Sequence, residues 1–302
     1  MSLVQRDESP LPVDRGTRLR KDAGMERFTN DGFTFDVTDT PGTGDGQVAV
    51  LLHGFPEDRH CWDAVTVALA GAGYRVLAPD LRGYSAGARP RSRRAYTLSR
   101  LAGDVLAMAD AAGVRRFHVV GHDWGAALAW YVAGRHRGRT ISVSSLSVPH
   151  PDAFLRGLLS SSQAVRSWYM AFFQTPGVPE WILSRRGGDA MRKNLIRHGL
   201  DGPTARRYAT RHAEMRGPLN WYRALPFGLR DRTAGIEVPT LFVWSDRDPF
   251  IARKSAELCG SHVTGPYRFE IIPGASHWLP TEVPDRVSGL LLDHFAHTGQ
   301  VS

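Results

Sequence analysis

The sequence predicts an α/β fold: a mostly parallel, doubly wound sheet with helices on both faces and a helical lid over one edge. Three observations predict it. Short β-branched and apolar runs alternate with helical patterns over most of the chain, the alternation that builds parallel sheets. Central runs such as Val48–Leu52 and His118–Val120 offer apolar side chains to both faces, as strands covered on two sides must. The alternation stops between about Pro149 and Ile236. That stretch is rich in Trp, Tyr, Arg and Leu and is broken at Pro176, Gly177, Pro179, Gly187–Gly188 and Gly202–Pro203. A helical insertion there is expected over the carboxyl edge of the sheet, where ligands of open α/β folds bind.

Taken in order, residues 1–24 are charged and polar and read as a flexible N-terminal tail. Strand-like runs follow at Thr34–Asp39, Val48–Leu52, Arg75–Ala78, Phe117–Val120 and Ile141–Leu146, and again at Thr240–Trp244 and Arg268–Ile272. Helical patterns lie between them at Trp62–Ala72, Leu98–Ala112 and Trp124–Arg135, and later at Ala252–Cys259 and Pro284–His297. The resulting division is a core of residues 25–148 and 237–302 and a cap of residues 149–236.

Composition narrows the function. A chain of 302 residues that is 42% hydrophobic can build its own core without staples. Its two cysteines, Cys61 and Cys259, lie far apart, which argues against a disulfide scaffold and a structural zinc site. The N-terminal segment has no apolar h-region, and no run approaches the ~18–20 apolar residues that span a bilayer. A cytoplasmic protein without membrane insertion is expected. Net charge is +8, with 35 arginines against three lysines. The arginine clusters at residues 91–94 and 135–139 lack interleaved aromatics, so nucleic acid is not an expected partner.

The chemistry starts at Gly121-His122-Asp123-Trp124-Gly125, between an apolar strand and a helical run. Strand, sharp turn and helix in a G-x-nucleophile-x-G pattern push the central side chain out above the sheet. An aspartate there cannot profitably attack an ester, which would give an anhydride. It can displace a leaving group from saturated carbon and form an alkyl ester on the enzyme. Hydrolysis of that ester requires a base and a residue that orients the base. His277 follows the last strand, within Gly274-Ala275-Ser276-His277-Trp278. Asp246 and Asp248 both follow the Thr240–Trp244 strand, and Asp248, beside Pro249, is favoured. The Phe55 and Trp124 N–H groups are the expected oxyanion donors, one after the Val48–Leu52 strand and one directly after the nucleophile. A cis peptide before Pro56 would help turn that loop inward.

These residues resemble the epoxide hydrolases of the α/β-hydrolase fold, such as the C-terminal domain of the soluble mammalian enzyme and its bacterial relatives. The resemblance covers about residues 25–298. It rests on His53–Glu57 (HGFPE), Gly121–Gly125 (GHDWG), the acid loop at Asp248, Gly274–Trp278 (GASHW), and two cap segments, 169–178 and 217–223. It implies a helical cap inserted after the sixth strand. It further implies that Tyr169 and Tyr222 donate hydrogen bonds to the epoxide oxygen and protonate the alkoxide, and that Pro56, Trp221 and Trp278 contact substrate. The expected partner is a small-molecule epoxide, the expected product a vicinal diol, and no metal or organic cofactor is implied. A monomer or homodimer is expected. One motif departs from the family's D-x-R-G-x-G-x-S: in Asp80–Gly87 the second glycine and the serine have exchanged places. Haloalkane and haloacid dehalogenases share the aspartate–histidine logic, but Phe55 supplies no side-chain halide donor and Trp124 stands where a carboxylate-binding arginine is usual. A non-catalytic binding protein on the same fold is the remaining alternative.

Overall fold

In the computed structural model, residues 24–298 are described apart from 45 and 229–231, so the expected tail of residues 1–24 lies outside the described residues except for Gly24. Eight strands form one sheet: β1 (Arg27–Asn30), β2 (Phe33–Thr40), β3 (Val48–Leu52), β4 (Arg75–Pro79), β5 (Phe117–His122), β6 (Thr140–Leu146), β7 (Thr240–Ser245) and β8 (Tyr267–Ile272). Their order is β1-β2-β4-β3-β5-β6-β7-β8. β2 pairs antiparallel with β1 and β4, and the other pairings are parallel. All seven sequence-predicted strands are present. β1 was not anticipated, because four residues with only Phe28 buried carry little alternation. The signal that could have found it is the Asp31-Gly32 pair, whose positive φ values of 51° and 77° close the hairpin to β2.

The helices are α1 (Asp63–Gly71), α2 (Leu98–Ala111), α3 (Trp124–Arg135), α4 (Pro151–Ser160), α5 (Gln163–Arg166), α6 (Trp168–Phe172), α7 (Val178–Arg197), α8 (Gly202–Ala209), α9 (Arg216–Ala224), α10 (Arg253–Glu257), α11 (Leu279–Glu282) and α12 (Pro284–Thr298). Helices α4–α9 lie between β6 and β7 and form the cap. Within α7 the backbone leaves helical geometry from Arg185 to Gly188, at the predicted Gly-Gly break. No helix among the described residues is long and apolar enough to cross a membrane.

Alternation along each strand explains the double layer. Ala49 and Leu51 of β3 face one cluster with Val65 and Leu69 of α1 and Leu291 and Phe295 of α12. Val50 and Leu52 face the opposite cluster, with Leu101 and Met108 of α2 and Leu128 and Trp130 of α3. Each such fully buried apolar side chain contributes about 1.5–3 kcal/mol of transfer free energy. The chain leaves β3 through α1 toward β4, and leaves β5 through α3 toward β6 on the other side. The carboxyl ends of β3 and β5 therefore open into a switch-point crevice between two diverging connections.

The cap is fixed to that edge by close packing and hydrogen bonds. A Cβ on Gly83 would lie 2.8 Å from the Gly217 carbonyl carbon, so two backbones touch where a side chain has no room. Trp221 Nε1 donates to the Arg82 carbonyl at 2.7 Å, and Arg211 Nη2 to the Tyr84 carbonyl at 2.9 Å. Arg82 is itself buried and held by both oxygens of Asp104 at 2.6 and 2.8 Å. The exchanged Ser85 and Gly87 are both accommodated. Ser85 Oγ donates to the Asp80 carbonyl at 3.0 Å and accepts the Asp36 N–H at 2.9 Å. A Cβ on Gly87 would lie 2.7 Å from the Thr34 carbonyl oxygen.

Candidate active site

Asp123 occupies the turn between β5 and α3 at φ 51°, ψ −119°, a conformation costly for a residue with a side chain. The flanking glycines make the turn possible. A Cβ on Gly121 would sit 2.1 Å from the Gly125 carbonyl oxygen, and one on Gly125 would sit 2.1 Å from that of Leu52. Although Asp123 stands at the N-cap position of α3, its side chain caps nothing there. Its Oδ1 instead accepts the Phe55 backbone N–H at 2.7 Å, across the crevice from the end of β3. The Phe55–Pro56 peptide is cis.

His277 stands on the loop after β8 and Asp248 on the loop after β7. His277 Nδ1 lies 2.7 Å from Asp248 Oδ2, and Nε2 lies 3.4 Å from Asp123 Oδ2. The other Asp248 oxygen accepts the N–H groups of Phe250 and Ile251 at 2.7 and 3.0 Å, which fixes the carboxylate plane toward the imidazole. Asp246 plays a different part, accepting the Gly274 N–H at 2.7 Å and tying down the loop that carries His277. The two carboxylates that the sequence leaves as alternatives are thus separated by position alone.

The electrostatics follow from this geometry. Burial alone would raise the Asp123 pKa, but the hydrogen bond and charge of His277, then His122 and the Phe55 N–H, outweigh it and hold it below its ordinary value. Burial alone would lower that of His277, but Asp248 and Asp123 outweigh it and push it up to about 10. With Asp123 unreacted, the pair is therefore carboxylate and imidazolium.

Tyr169 of α6 and Tyr222 of α9 face each other across the same space, ring centroids 6.0 Å apart and planes at 77°. Burial, first, raises both phenols far above their ordinary range; Asp123 and then Asp248 add to it at Tyr169, and Tyr169 and then Asp123 add to it at Tyr222. Both stay protonated and able to donate. Tyr169, Tyr222, Asp123 and His277 line one cavity of about 220 Å³, walled on its apolar sides by Phe55, Phe173, Leu195 and Phe250. Pro56 and Trp278, expected to contact substrate, lie in this wall. Trp221 does not: it is buried behind the cavity, its ring 5.8 Å from Trp124 and its N–H spent on Arg82. Its role is packing, because consecutive residues of a helix point in different directions and Tyr222, the next residue, is the one that lines the cavity. Trp124 itself packs edge-on to Tyr222 at 5.0 Å. A second, more open cleft of about 330 Å³ lies between Arg186, Asp189, Arg192 and Arg206 of the cap and holds none of the expected residues.

Sequence reasoning missed the network behind the triad. Glu57 and His122 are fully buried and 2.7 Å apart. Glu57 Oε2 also accepts the Gly54 N–H at 3.3 Å, while His122 Nε2 lies 2.8 Å from the His277 carbonyl oxygen. Ser147 Oγ donates to that same carbonyl at 2.8 Å. One chain of contacts therefore joins the loops after β3, β6 and β8 to the end of β5. The available signal was a glutamate in a loop following an apolar strand and a histidine beside the nucleophile: a buried charge needs a partner. Arg166 of α5 was also missed; it lines the cavity and donates to the Asp248 carbonyl at 2.7 Å.

The chain is similar in sequence and fold to known proteins. The α/β-hydrolase fold family model matches residues 48–282. Epoxide hydrolase 3 of Xenopus tropicalis is 32% identical over 283 residues, covering 89% of this chain and 77% of that protein. Epoxide hydrolase A of Mycobacterium tuberculosis is 33% identical over 290 residues, covering 82% and 89%. Among solved structures, an epoxide hydrolase from metagenomes of hot environments superposes with a TM-score of 0.78 at 27% identity, covering 89% of this chain and 97% of that one. Epoxide hydrolase A of Mycobacterium thermoresistibile gives 0.74 at 28%, covering 90% and 98%.

Proposed function

This chain belongs to the epoxide hydrolases of the α/β-hydrolase fold, and we propose that it converts an epoxide and water to a vicinal diol through an ester on Asp123. The observation that carries the reading is the meeting, in one cavity, of an ionised carboxylate at a strained turn, an imidazole 3.4 Å from it, and two buried phenols. An Asp123 oxygen attacks one ring carbon as its C–O bond breaks. Tyr169 and Tyr222 donate to the departing oxygen, and one of them gives it a proton. Esterification removes the negative charge beside His277, so one of the two carboxylates that raise its pKa is lost, and the imidazolium releases a proton that restores the phenol left as phenolate by ring opening. Held by Asp248, His277 then takes a proton from water as that water attacks the ester carbonyl. The Phe55 and Trp124 N–H groups hold the oxyanion, and loss of each such donor costs about 10²–10³-fold. The C–O bond from the carbonyl carbon to the alkyl oxygen breaks, the departing alkoxide takes the proton that His277 has just accepted, and the diol leaves. The carboxylic acid formed on Asp123 then gives its proton to His277, restoring the carboxylate and imidazolium.

We assign residues 149–236 to the cap and 25–148 with 237–302 to the core. The dehalogenase alternative has less support, because the loop after β3 offers a halide only the ring of Phe55 beside its backbone.

Hydrolysis in ¹⁸O-water tests the mechanism. Under single turnover the diol should carry unlabelled oxygen from the enzyme, and label should enter Asp123 over repeated turnovers. Diol labelled in the first turnover would mean direct attack by water, and the ester mechanism would fall.

A further inference from the structure

Large hydrophobic side chains exposed to solvent are confined almost wholly to the cap. Among the described residues, Val67 is the sole member of that class outside residues 149–236, against eight inside. Charge follows the same division. Residues 149–236 contain fourteen Lys and Arg against six Asp and Glu, while the rest of the chain contains 24 of each sign. The whole formal charge of +8 therefore belongs to the cap.

The apolar residues run through consecutive elements beside the cavity. Leu155 and Leu159 lie one turn apart on α4, and Leu159 is 92% exposed. Helix α4 packs on α5, and α5 on α6. Val165 of α5 is 76% exposed and Trp168 of α6 is 66% exposed, and both also line the cavity. Arg156 is exposed between the two leucines, and elsewhere on the cap Arg185 of α7 covers the exposed ring of Trp181 at 4.4 Å, while Arg166 is turned to the cavity and the Asp248 carbonyl. Isolated exposed apolar residues need no explanation, but a concentrated set with one sign of charge marks a surface for a partner.

From this we infer that the outer face of α4–α6 docks on an anionic lipid bilayer. Aliphatic side chains and tryptophans can enter the boundary between headgroups and acyl chains while arginines meet the phosphates. The aliphatic members, Leu155, Leu159 and Val165, favour a bilayer over a nucleic acid, which would ask for stacking rings rather than branched chains. Val165 and Trp168 belong both to this face and to the cavity wall, so an apolar substrate dissolved in the bilayer reaches the cavity without crossing bulk water. Docking at this face does not depend on the ester mechanism.

Co-sedimentation of the full chain with phosphatidylcholine vesicles, with and without phosphatidylglycerol, tests the inference. Binding should require the anionic lipid and weaken as salt screens the arginines. Leu159→Glu and, separately, Arg156→Glu should each reduce partitioning at least about fivefold. Both variants should leave melting temperature and turnover of a water-soluble epoxide unchanged, since neither side chain lines the cavity. The inference falls if the chain does not bind anionic vesicles at low salt, or if neither substitution weakens binding. It also falls if a DNA oligonucleotide is retained as well as the vesicles and with the same sensitivity to both variants.

Discussion

Replacing Gly54 by alanine tests whether the Asp123 carboxylate stands where attack on substrate requires it. A Cβ at position 54 would lie 2.3 Å from the Asp123 Cβ, 2.6 Å from its Oδ1 and 2.9 Å from its Cγ. Ordinary van der Waals contact begins at 3.4 Å. The carboxylate, or the loop carrying Phe55, must therefore retreat by about 1 Å, and a misplacement of that size costs on the order of 10²-fold in rate. Expressed as a barrier this is ~2.7 kcal/mol. Crowding the interior destabilises the fold by about 1–3 kcal/mol, so the melting temperature has to be followed alongside the rate. The assay is rapid-quench mass spectrometry of the intact protein after mixing with excess styrene oxide, which reads the rate of ester formation apart from its hydrolysis. A folded Gly54→Ala protein should form the ester about a hundredfold more slowly. A wild-type rate of ester formation in that variant would mean that the nucleophile is not the carboxylate beneath this loop.

Four further outcomes follow from the same geometry. His277→Gln should still form the ester but lose about 10²–10⁴-fold in hydrolysing it, so a covalent adduct on Asp123 accumulates and is visible by mass; absence of the adduct would refute the two-step order. Single Tyr169→Phe and Tyr222→Phe variants should slow ring opening while the double variant stops it, and an undiminished single-turnover rate in the double variant would remove the phenols from the chemistry. Since His277 is raised above its unfolded value of 6.5 to about 10, its charge stabilises the fold fully below about pH 6.5, and that contribution is lost as pH rises through 10. Urea unfolding should lose stability across that window, and Asp248→Asn should flatten the slope; an unchanged slope contradicts the pairing. Arg82→Leu strands the buried Asp104 carboxylate and should destabilise the protein by about 3–5 kcal/mol in the same assay, whereas a shift below ~1 kcal/mol would mean that Asn30 alone satisfies it.

The sequence by itself determined the layered architecture and the place of the strained turn that carries Asp123. Periodicity is a local property, so the parallel strands and their two apolar faces were legible, and so was the cap as a stretch where alternation ceased. The turn was legible because it needs glycine on both sides of the exposed residue, and Gly121 and Gly125 say so without reference to anything distant. Asp248 was favoured over Asp246 only for its place beside Pro249; the two share a loop, and it is the fold that turns one toward the imidazole and the other toward Gly274. Trp221 and Tyr222 are adjacent in the chain, yet the helix sends one into the packing behind the cavity and the other into it. The Glu57–His122 link was equally hidden, since its partners lie 65 residues apart and its purpose is to join three loops that meet only at the sheet's carboxyl edge. Contacts of that kind depend on how strands are ordered in space, and the order β4-β3-β5 is set by packing of the whole sheet rather than by any stretch of sequence within it.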